Sequence, residues 1–491
     1  MGGLVAVLSK IGENVTQTAI EMIDALELDS EAFGIASVNT IKTEASLEAL
    51  KKSDLESSTA VGCAFSRILH DDKLGLMQLP NATMVFDGRT YPVDAKESEA
   101  EAAAKALGQN PEKWAATFVR NAEGDFAFAI ARHETIVAGR DTVGVRPLYY
   151  AENRDFAALA SERKPLWHIG LNEALSFPPG TVSLVGRYGF KFTVARRITY
   201  SEPKQVTMQT ATQKLHKILE QSIKKRTASL NEVAVAFSGG LDSSIIACLA
   251  KKAGANVLLI HVSMENEPEV ECAKQAAGAL KLPLYSSLHD EHDVQKTILK
   301  VIRVIEEPDP VKVSIGIPVY WAAEKTAGMD CRVMLAGQGA DEFFGGYRRY
   351  LDDYLRGSKE RTLSAIFNDI VGIHEANLER DFKICNHFGV ELRLPFVTYA
   401  MARLALSLPL ELKMEPRDNS LRKLVLRRVA KNLGLPHFII NKPKSAIQYT
   451  TGVNNAIKRI AQRERISMTE YCRKMFSAAF SDFQEPRGSR P

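Results

Sequence analysis

The sequence predicts two domains of different fold class. The first is an α+β domain with antiparallel sheets packed between helices, and the second is an α/β domain with a parallel sheet and a helical C-terminal part. Segments before residue 200 alternate apolar and polar residues between turn dipeptides such as Asp87-Gly88 and Pro179-Gly180, which is typical of antiparallel strands. Short, fully apolar segments further along alternate with helical ones, as in a parallel sheet covered on both faces. After Tyr347 the pattern is mostly helical.

The first predicted domain covers residues 1–202. The opening "MGGLVAVLSK" predicts an early buried strand, and helices are expected near residues 15–27 and 96–107. Antiparallel strands are predicted in the segments "VFDGRTY", "GDFAFAIARHETIVAGRD" and "GTVSLVGRYGFKFTVARRITY". A polar segment around Pro203 then marks the domain boundary.

The second predicted domain covers residues 203–465 and begins with a helix at about 209–226. Apolar strands are predicted in "EVAVAF", "NVLLIHVSM" and "RVMLAG", with helices in the segments between them. Residues 466–491 are predicted to be a C-terminal tail, because "QEPRGSRP" has the composition of a frayed end.

Composition excludes several classes of protein. Of 491 residues, 45% are hydrophobic and 25% are charged, which is typical of globular chains and not of disordered or membrane proteins. The net charge of +4 is too small to favour nucleic acid as a partner. The start has no signal-peptide pattern, and the six cysteines include no CxxC pair, so we expect a cytoplasmic protein with reduced thiols.

The segment "VAVAFSGGLDSSIIACLA", residues 233–250, predicts a phosphate-binding loop. A β-branched strand ends at Phe237 and a helix begins near Ser243. Glycines allow the backbone to approach an anion, while serine hydroxyls and helix N-terminal N–H groups donate to it. A carboxylate in such a loop would repel phosphates unless a magnesium ion lay between them, so Asp242 is interpreted as a metal ligand. The expected binding residues are Phe237, Ser238, Gly239, Gly240, Leu241, Asp242, Ser243 and Ser244.

The loop string "SGGLDSS" resembles the pyrophosphate loop of the ATP-pyrophosphatase enzymes, which cleave ATP between its α and β phosphates. Together with "LAGQGADEFFGGYRRY" at 335–350, it resembles the synthetase domain of the asparagine synthetase family, which includes β-lactam synthetase. Further matches follow in the same order: "IEEPDP", "VELRLPF", "LRKLVLRR" and "NKPKSAIQYTTG". The resemblance covers about residues 205–460.

The resemblance implies a role for several further residues. Val262, Ala336 and Gly337 should line the adenine pocket with Phe237. Asp242 and Asp341 fall where the family holds Mg²⁺ on the phosphates of ATP, and Lys444 matches the lysine that steadies the α phosphate. The implied reaction joins a carboxylate to AMP as an acyl-adenylate, which a nitrogen nucleophile then attacks.

Gln338 departs from the family pattern. Glutamine-dependent asparagine synthetases usually have a glutamate at this position, which is thought to help aspartate react. Because an amide cannot take a proton, Gln338 can hold a substrate but cannot act as a general base. Aspartate is therefore the favoured carboxylate, and a different carboxylate remains an alternative.

The first domain resembles a class II glutamine amidotransferase domain, which has an Ntn-hydrolase-like fold, through "EGDFAFAI", "GRDTVGVRPLYYA" and "SRIL". Arg67 matches the arginine that binds the glutamine carboxylate. Asp87 replaces an asparagine beside Gly88, and Glu99 replaces an aspartate. The family nucleophile is an N-terminal cysteine, and this position is Gly2 here. The domain is therefore expected to keep the fold without hydrolysing glutamine.

Three functions remain open at this stage. The leading one is an ATP-dependent amide-forming ligase that takes a small carboxylate and free ammonia, with no nucleic acid or membrane partner and with a homodimer allowed. The second is a β-lactam-synthetase-like enzyme or another carboxylate-amidating ligase. The third is a non-catalytic, nucleotide-binding regulatory protein, against which the retained Asp242, Asp341 and Lys444 argue.

Two other charged segments are assigned structural roles. The basic residues between Leu421 and Lys444 are interpreted as a solvated helix face that leads into the pyrophosphate-binding loop, since aromatic residues for stacking on bases are nearly absent. The segment "HDEHD", His289 to Asp293, is interpreted as a polar loop with Asp293 as a helix N-cap, in preference to a metal site.

Overall fold

The computed structural model describes residues 2–91, 98–108, 110–417 and 421–481. The chain divides into two compact units. Of the described residues, unit 1 contains those up to Arg197 together with Phe480 and Ser481, and unit 2 contains those from Ile198 to Ala479. The described residues include no helix that is long and apolar enough to cross a bilayer.

Unit 1 contains two antiparallel sheets between helices, as predicted. Its strands are β1 (Gly2–Ser9), β2 (Ala32–Ala36), β3 (Ile41–Glu44), β4 (Thr59–Phe65), β5 (Leu76–Leu79), β6 (Ala82–Tyr91), β7 (Glu123–Arg132), β8 (Thr135–Arg140), β9 (Tyr149–Glu152), β10 (Phe156–Ala160), β11 (Leu175–Ser176), β12 (Thr181–Gly186) and β13 (Gly189–Val194). Its helices are α1 (Thr16–Asp24), α2 (Leu47–Leu50), α3 (Glu99–Leu107), α4 (Pro111–Asn121) and α5 (Lys164–His168). Among the described residues, the strand orders are β11-β9-β10-β1-β4-β2-β3 and β13-β12-β8-β7-β6-β5.

The two sheets of unit 1 pack face to face. Leu4, Ala6 and Leu8 of β1 contact small inward residues of the second sheet, such as Ala129 and Ala138. Helices α1 and α5 cover the outer face of the first sheet, and α3 and α4 cover the second. β1 is therefore buried on both faces, which explains the continuous apolar segment at the start of the sequence.

Unit 2 is built on a parallel sheet in the order β16-β15-β14-β17-β18. These strands are β14 (Glu232–Ala236), β15 (Asn256–Met264), β16 (Leu284–His289), β17 (Val333–Leu335) and β18 (Glu391–Arg393). The helices up to the end of the sheet are α6 (Met208–Thr227), α7 (Leu241–Lys252), α8 (Glu269–Leu280), α9 (Glu291–Ile305), α10 (Pro310–Ala327), α11 (Ala340–Phe344), α12 (Arg348–Leu355), α13 (Lys359–Val371) and α14 (Glu379–His387). A π-helical turn, His374–Leu378, precedes α14.

The rest of unit 2 is helical, as predicted. It contains α15 (Tyr399–Ser407), a 3₁₀ turn (Leu410–Leu412), α16 (Leu424–Asn432), α17 (His437–Ile440), α18 (Ile447–Thr450), α19 (Val453–Arg463) and α20 (Met468–Ala479). Helix α20 packs on α9, so the prediction of a tail from residue 466 is corrected up to Ala479. The segment "QEPRGSRP" lies outside the described residues.

The "HDEHD" segment is a helix start, but its N-cap is Asp290 and not Asp293. Asp290 accepts a hydrogen bond from the Asp293 N–H, and Asp293 accepts one from the Asp290 N–H, which completes a capping box. The side chain of His289 stacks on Trp321 of α10 at a ring separation of 3.9 Å. The segment therefore has a structural role.

Candidate active site

One cleft in unit 2 contains most of the predicted binding residues. Its volume is about 300 Å³, and it lies at the carboxyl ends of β14, β15 and β17, where ligands bind in open parallel sheets. The predicted residues that line it are Phe237, Ser238, Gly240, Leu241, Asp242, Ser243, Val262, Ala336, Gly337, Gln338, Asp341 and Lys444. Two other predicted residues lie behind it: Gly239 packs against α8, and Ser244 is fully buried in α7.

The loop between β14 and α7 has the geometry of an anion site. Gly239 adopts a φ of +65°, and a Cβ there would lie 2.9 Å from the Cα of Ala273, so only glycine fits. No side chain caps the N-terminus of α7. The hydroxyls of Ser238 and Ser243 lie 3.3 Å apart beside this terminus. Open N–H groups and hydroxyls together can donate to a phosphate.

Two aspartates and two lysines meet next to this loop. The Nζ of Lys423 lies 2.5 Å from Asp242 and 2.8 Å from Asp341, and the Nζ of Lys444 lies 3.0 Å from Asp341. Burial opposes the charge on Asp341, but Lys423 and Lys444 outweigh it and lower the pKa of that carboxyl. The Asp341 carboxylate is therefore ionised at neutral pH.

The cleft also has an apolar part. Phe237, Val262 and Ala336 face residues of α10, and the cleft-lining residues of that helix are Ile315, Pro318, Val319 and Ala322. Phe237 and Val262 are buried. A flat, apolar ring system would fit such a slot beside the loop between β14 and α7.

Gln338 is held in one orientation at the far side of the cleft. Its Nε2 donates to Asp381 at 2.7 Å, and Arg380 donates from Nε to the other oxygen of Asp381 at 2.7 Å. Because a carboxylate only accepts, the Gln338 amide must turn its nitrogen to Asp381, which leaves Oε1 for the cleft. Arg380 also lines the cleft.

Glu342 forms a second polar group there. Tyr347 and Asn377 both donate to its Oε1, at 2.5 and 2.7 Å. Burial raises the pKa of Glu342, and the nearby charge of Asp341 adds to this effect. The π-helical turn that contains Asn377 brings this side chain and Arg380 to the same wall of the cleft.

The basic segment before Lys444 is not a solvated helix face, which corrects the prediction. Lys423 and Arg427 are buried and line the cleft. Arg427 donates to the carbonyls of Arg422, Ile440 and Lys442, so its charge organises the loop that carries Lys444. Only part of this segment, such as Arg428 and Lys431, is exposed.

The comparisons with known proteins decide the family. The asparagine synthase family model matches residues 214–369 and 363–480. A protein of Methanocaldococcus jannaschii named "Putative asparagine synthetase (glutamine-hydrolyzing) 1" is 31% identical over 388 residues, covering 70% of this chain and 71% of the relative. This chain belongs to the asparagine synthetase family. Members of this family are ATP-dependent carbon–nitrogen ligases, and the chain is an asparagine synthetase-like ligase.

Plant relatives match over a smaller share of their length. Asparagine synthetases (glutamine-hydrolyzing) of Triphysaria versicolor and Asparagus officinalis are each 28% identical, over 70% and 68% of this chain. The chain spans 60% and 58% of these two relatives. A glutamine amidotransferase domain model matches residues 87–168 in unit 1.

In the present chain, residue 2 has no room for a side chain. Gly2 pairs with Phe65 at the start of β1, and a Cβ there would lie 1.9 Å from the carbonyl oxygen of Ala64. The nearest cysteine on the neighbouring strand is Cys63, which pairs with Leu4. Burial raises the pKa of the Cys63 thiol to about 12, so it is inert as a nucleophile.

Other predicted glutamine-pocket residues are paired within unit 1. Asp87 lies 3.3 Å from Arg146, and both are buried. Glu99 lies 2.9 Å from Arg89, which also binds both oxygens of Asp72. Gly88 packs closely against the neighbouring strand, since a Cβ there would meet the Asp125 carbonyl at 2.2 Å. Arg67 is exposed.

Sequence reasoning missed several residues of the site. Lys423 was grouped with exposed basic residues, although its place in "LRKLVLRR" was a signal within the resemblance. Asp381, Arg380 and Asn377 had no local signal, because the contacts to Gln338 and Glu342 form between segments about forty residues apart. Gln448 also lines the cleft; like Lys423, it lies in a segment that carried the resemblance, "NKPKSAIQYTTG", but it was not singled out.

Proposed function

We propose that this chain forms an amide from a small carboxylate, aspartate favoured, and free ammonia or an amine, without using glutamine. The carboxylate attacks the α phosphate of ATP and releases pyrophosphate, which gives an acyl-adenylate. The nitrogen nucleophile then attacks the acyl carbon, loses a proton and displaces AMP. The observation that carries the ammonia dependence is the crowding at Gly2, which excludes any side chain at the position of the family nucleophile.

The lysines of the cleft support the adenylation step. Lys423 and Lys444 lie within 3.0 Å of the carboxylates next to the phosphate loop, so their charges are in place for phosphate oxygens. Fixed charges of this kind stabilise the additional negative charge that develops at the α phosphate, commonly by a few kcal/mol of barrier. Lys444 is assigned to the α phosphate, and Lys423 to the neighbouring phosphates.

Asp242 and Asp341 fit a magnesium ion shared with ATP. Each keeps a buried Oδ1 that forms no hydrogen bond within the described residues, although the Oδ1 of Asp341 lies close to Lys423. The described residues include no group of three or more His, Cys, Asp or Glu that could hold a metal by itself. This donor set suits Mg²⁺, which takes one or two carboxylates and completes its shell with phosphate oxygens and water. When bound, the ion neutralises charge on the phosphates.

The amide side chain of Gln338 supports a nucleophile that is already neutral, such as ammonia and not ammonium. Its Oε1 can accept a hydrogen bond from the amine or from the substrate, but an amide cannot act as a base. Neutral ammonia needs no deprotonation before it attacks the acyl-adenylate. The orientation that Asp381 imposes makes Gln338 a positioning group in this step.

Pyrophosphate release tests the proposal. The protein is incubated with MgATP and aspartate, alone, with ammonium chloride, or with glutamine, and the product is identified by mass spectrometry. We expect release and asparagine formation with ammonium, and no amide product above background with glutamine. Equal rates of pyrophosphate release with glutamine and with ammonium would contradict the interpretation that Gly2 abolishes glutamine hydrolysis. Turnover with another carboxylate only would favour the β-lactam-synthetase-like alternative, and no turnover with any carboxylate would favour a regulatory protein.

A further inference from the structure

Strand β16 forms an open edge of the parallel sheet in unit 2. Among the described residues, it pairs with β15 on one side only. Two of its large side chains are exposed, Tyr285 by 37% and Leu288 by 46%. An exposed strand edge is a template for another strand, and proteins usually block it with charged residues, with proline or by keeping the strand very short. The six residues of β16, Leu284–His289, include no Asp, Glu, Lys, Arg or Pro.

The other sheet edges within the described residues have such protection. In unit 1, β3 contains Lys42 and Glu44, and β13 contains Lys191. The edge strands β5 and β11 have four and two residues. At the opposite edge of the parallel sheet, the three residues of β18 are buried. Strand β16 therefore differs from these edges, because it is long, exposed and without a blocking charge.

The backbone of β16 is arranged for pairing on its open side. The carbonyls of Pro283 and His289, at its two ends, accept hydrogen bonds of 3.0 Å from the β15 side of the sheet. Because alternate residues of a parallel strand bond to the same neighbour, the odd-numbered residues between them also face β15. The backbone N–H and carbonyl groups of Leu284, Ser286 and Leu288 therefore point to the open side.

We propose that β16 pairs in the antiparallel direction with β16 of a second copy of this chain, across a two-fold axis at Ser286. In this register Ser286 lies opposite Ser286 of the second copy, and Leu284 lies opposite Leu288. Each of these pairs exchanges two hydrogen bonds through the open backbone groups. The leucine pairs lie on one face and bury apolar surface that is exposed in the single chain. The two parallel sheets become one continuous sheet.

The charges that flank β16 favour a second copy in this direction. Lys281 precedes the strand and is exposed, while Asp290 and Glu291 follow it directly. Antiparallel pairing brings Lys281 of each copy to the acidic end of the other, opposite Glu291, whereas parallel pairing would place like charges together. Such charge complementarity fixes the orientation and register of an interface. The two-fold axis uses both open edges, so association stops at a dimer.

Cross-linking at the proposed axis tests the contact. The Cα atoms of an opposed, hydrogen-bonded pair lie about 5.5 Å apart, a distance that a disulfide spans. Ser286→Cys is oxidised with copper phenanthroline, and non-reducing electrophoresis compares its covalent dimer with those of the wild type and of Ser477→Cys, which is exposed on α20. We expect Ser286→Cys to cross-link about tenfold faster than either control, or more, because the two thiols are held together. Equal rates would contradict the pairing.

Sedimentation equilibrium of the full chain tests the same edge in solution. We expect a wild-type dimer whose dissociation constant Leu288→Lys raises by about tenfold or more, because it places a charge on the leucine pair. Leu355 is 39% exposed on α12, and Leu355→Lys is the matched control, which should behave as the wild type.

Two results of sedimentation would overturn the proposal. A monomeric wild type would exclude the second copy and leave the β16 edge to a strand of another protein. A dimer that Leu288→Lys does not weaken would place the interface on another surface. Circular dichroism checks the fold of each variant. If Leu288→Lys does not fold, the cross-linking rate of Ser286→Cys still decides.

Discussion

The position of the Lys423 ammonium depends on an unusual backbone conformation as well as on ion pairs. It has a φ of +60°, which costs a residue with a side chain about 1 kcal/mol or more. A bridge between Met414 and Arg422, and the Leu424 N–H donated to the Lys413 carbonyl, hold the chain in this conformation. The strained backbone brings the ammonium between Asp242 and Asp341, and the resulting ion pairs offset the cost.

Replacing Lys423 by methionine should reduce pyrophosphate release by about 100-fold or more, because the phosphates lose a fixed cation and two partly buried carboxylates lose their counter-ion. Lys431 lies exposed on α16, the helix that Lys423 precedes, and Lys431→Met is the matched control. The rate is measured at saturating MgATP and aspartate, with circular dichroism as a check on folding. A folded Lys423→Met variant with the wild-type rate would remove Lys423 from the site.

The close contact between residue 2 and the Ala64 carbonyl leads to a specific prediction. Gly2→Ala should destabilise the protein by about 1–3 kcal/mol, because the Cβ meets the Ala64 carbonyl and the β1–β4 pair must shift. Gly186→Ala is the control, since its Cβ would lie 3.8 Å from the nearest atom. Urea unfolding gives both values. If Gly2→Ala is as stable as Gly186→Ala, the strand pairing leaves more room than the structure shows, and a nucleophile could be restored there.

The loop from Asn441 to Ser445 depends on a helix that precedes it. Arg427 on α16 donates to three carbonyls that include Ile440 and Lys442, and Arg422 donates to the Lys444 carbonyl at 3.2 Å. The guanidinium of Arg427 therefore binds backbone carbonyls and does not face solvent. This is why the element-level prediction of a solvated basic face was wrong: the periodic pattern shows which residues share a face, but not which loop returns to cover it.

Arg427→Met should raise the KM for ATP about tenfold or more and leave the fold intact, because the loop that carries Lys444 loses its anchor. Arg428→Met is the matched control, since the neighbouring residue is exposed. Initial rates over a range of MgATP concentrations separate KM from kcat. Equal KM values for the two variants would show that the loop holds its position without Arg427.

At the scale of the whole molecule, the sequence predicted the two fold classes well. Strands such as β6, β7 and β15 and helices such as α6 and α8 follow from periodicity, which is a local property. At the candidate site, the predicted phosphate loop and its aspartate lie on one contiguous segment that lines the cleft, and Lys444, assigned through the resemblance, lines the same cleft. Asp381 could not be found in this way, because its hydrogen bond from Gln338 forms only when two segments about forty residues apart pack together.

Lys413 links the stability of the protein to pH. It is fully buried, its Nζ has no hydrogen-bond partner among the described residues, and burial lowers its pKa to about 7. Between this value and the unfolded pKa near 10.4, the unfolded chain binds one more proton than the folded chain, so stability rises with pH. Lys413→Met should therefore be more stable than the wild type at pH 7, by a difference that shrinks toward pH 10. Urea unfolding at pH 7, 8.5 and 10 measures it, and a difference independent of pH would contradict the account.

The source of the nitrogen tests the central claim most directly. The protein turns over MgATP and aspartate in a mixture of ¹⁵N-ammonium and unlabelled glutamine at equal concentrations, and mass spectrometry reads the label in the asparagine formed. Because Gly2 supplies no nucleophile and Cys63 is buried and protonated, we predict that essentially all amide nitrogen is ¹⁵N. Asparagine whose amide nitrogen comes mainly from glutamine would contradict the account.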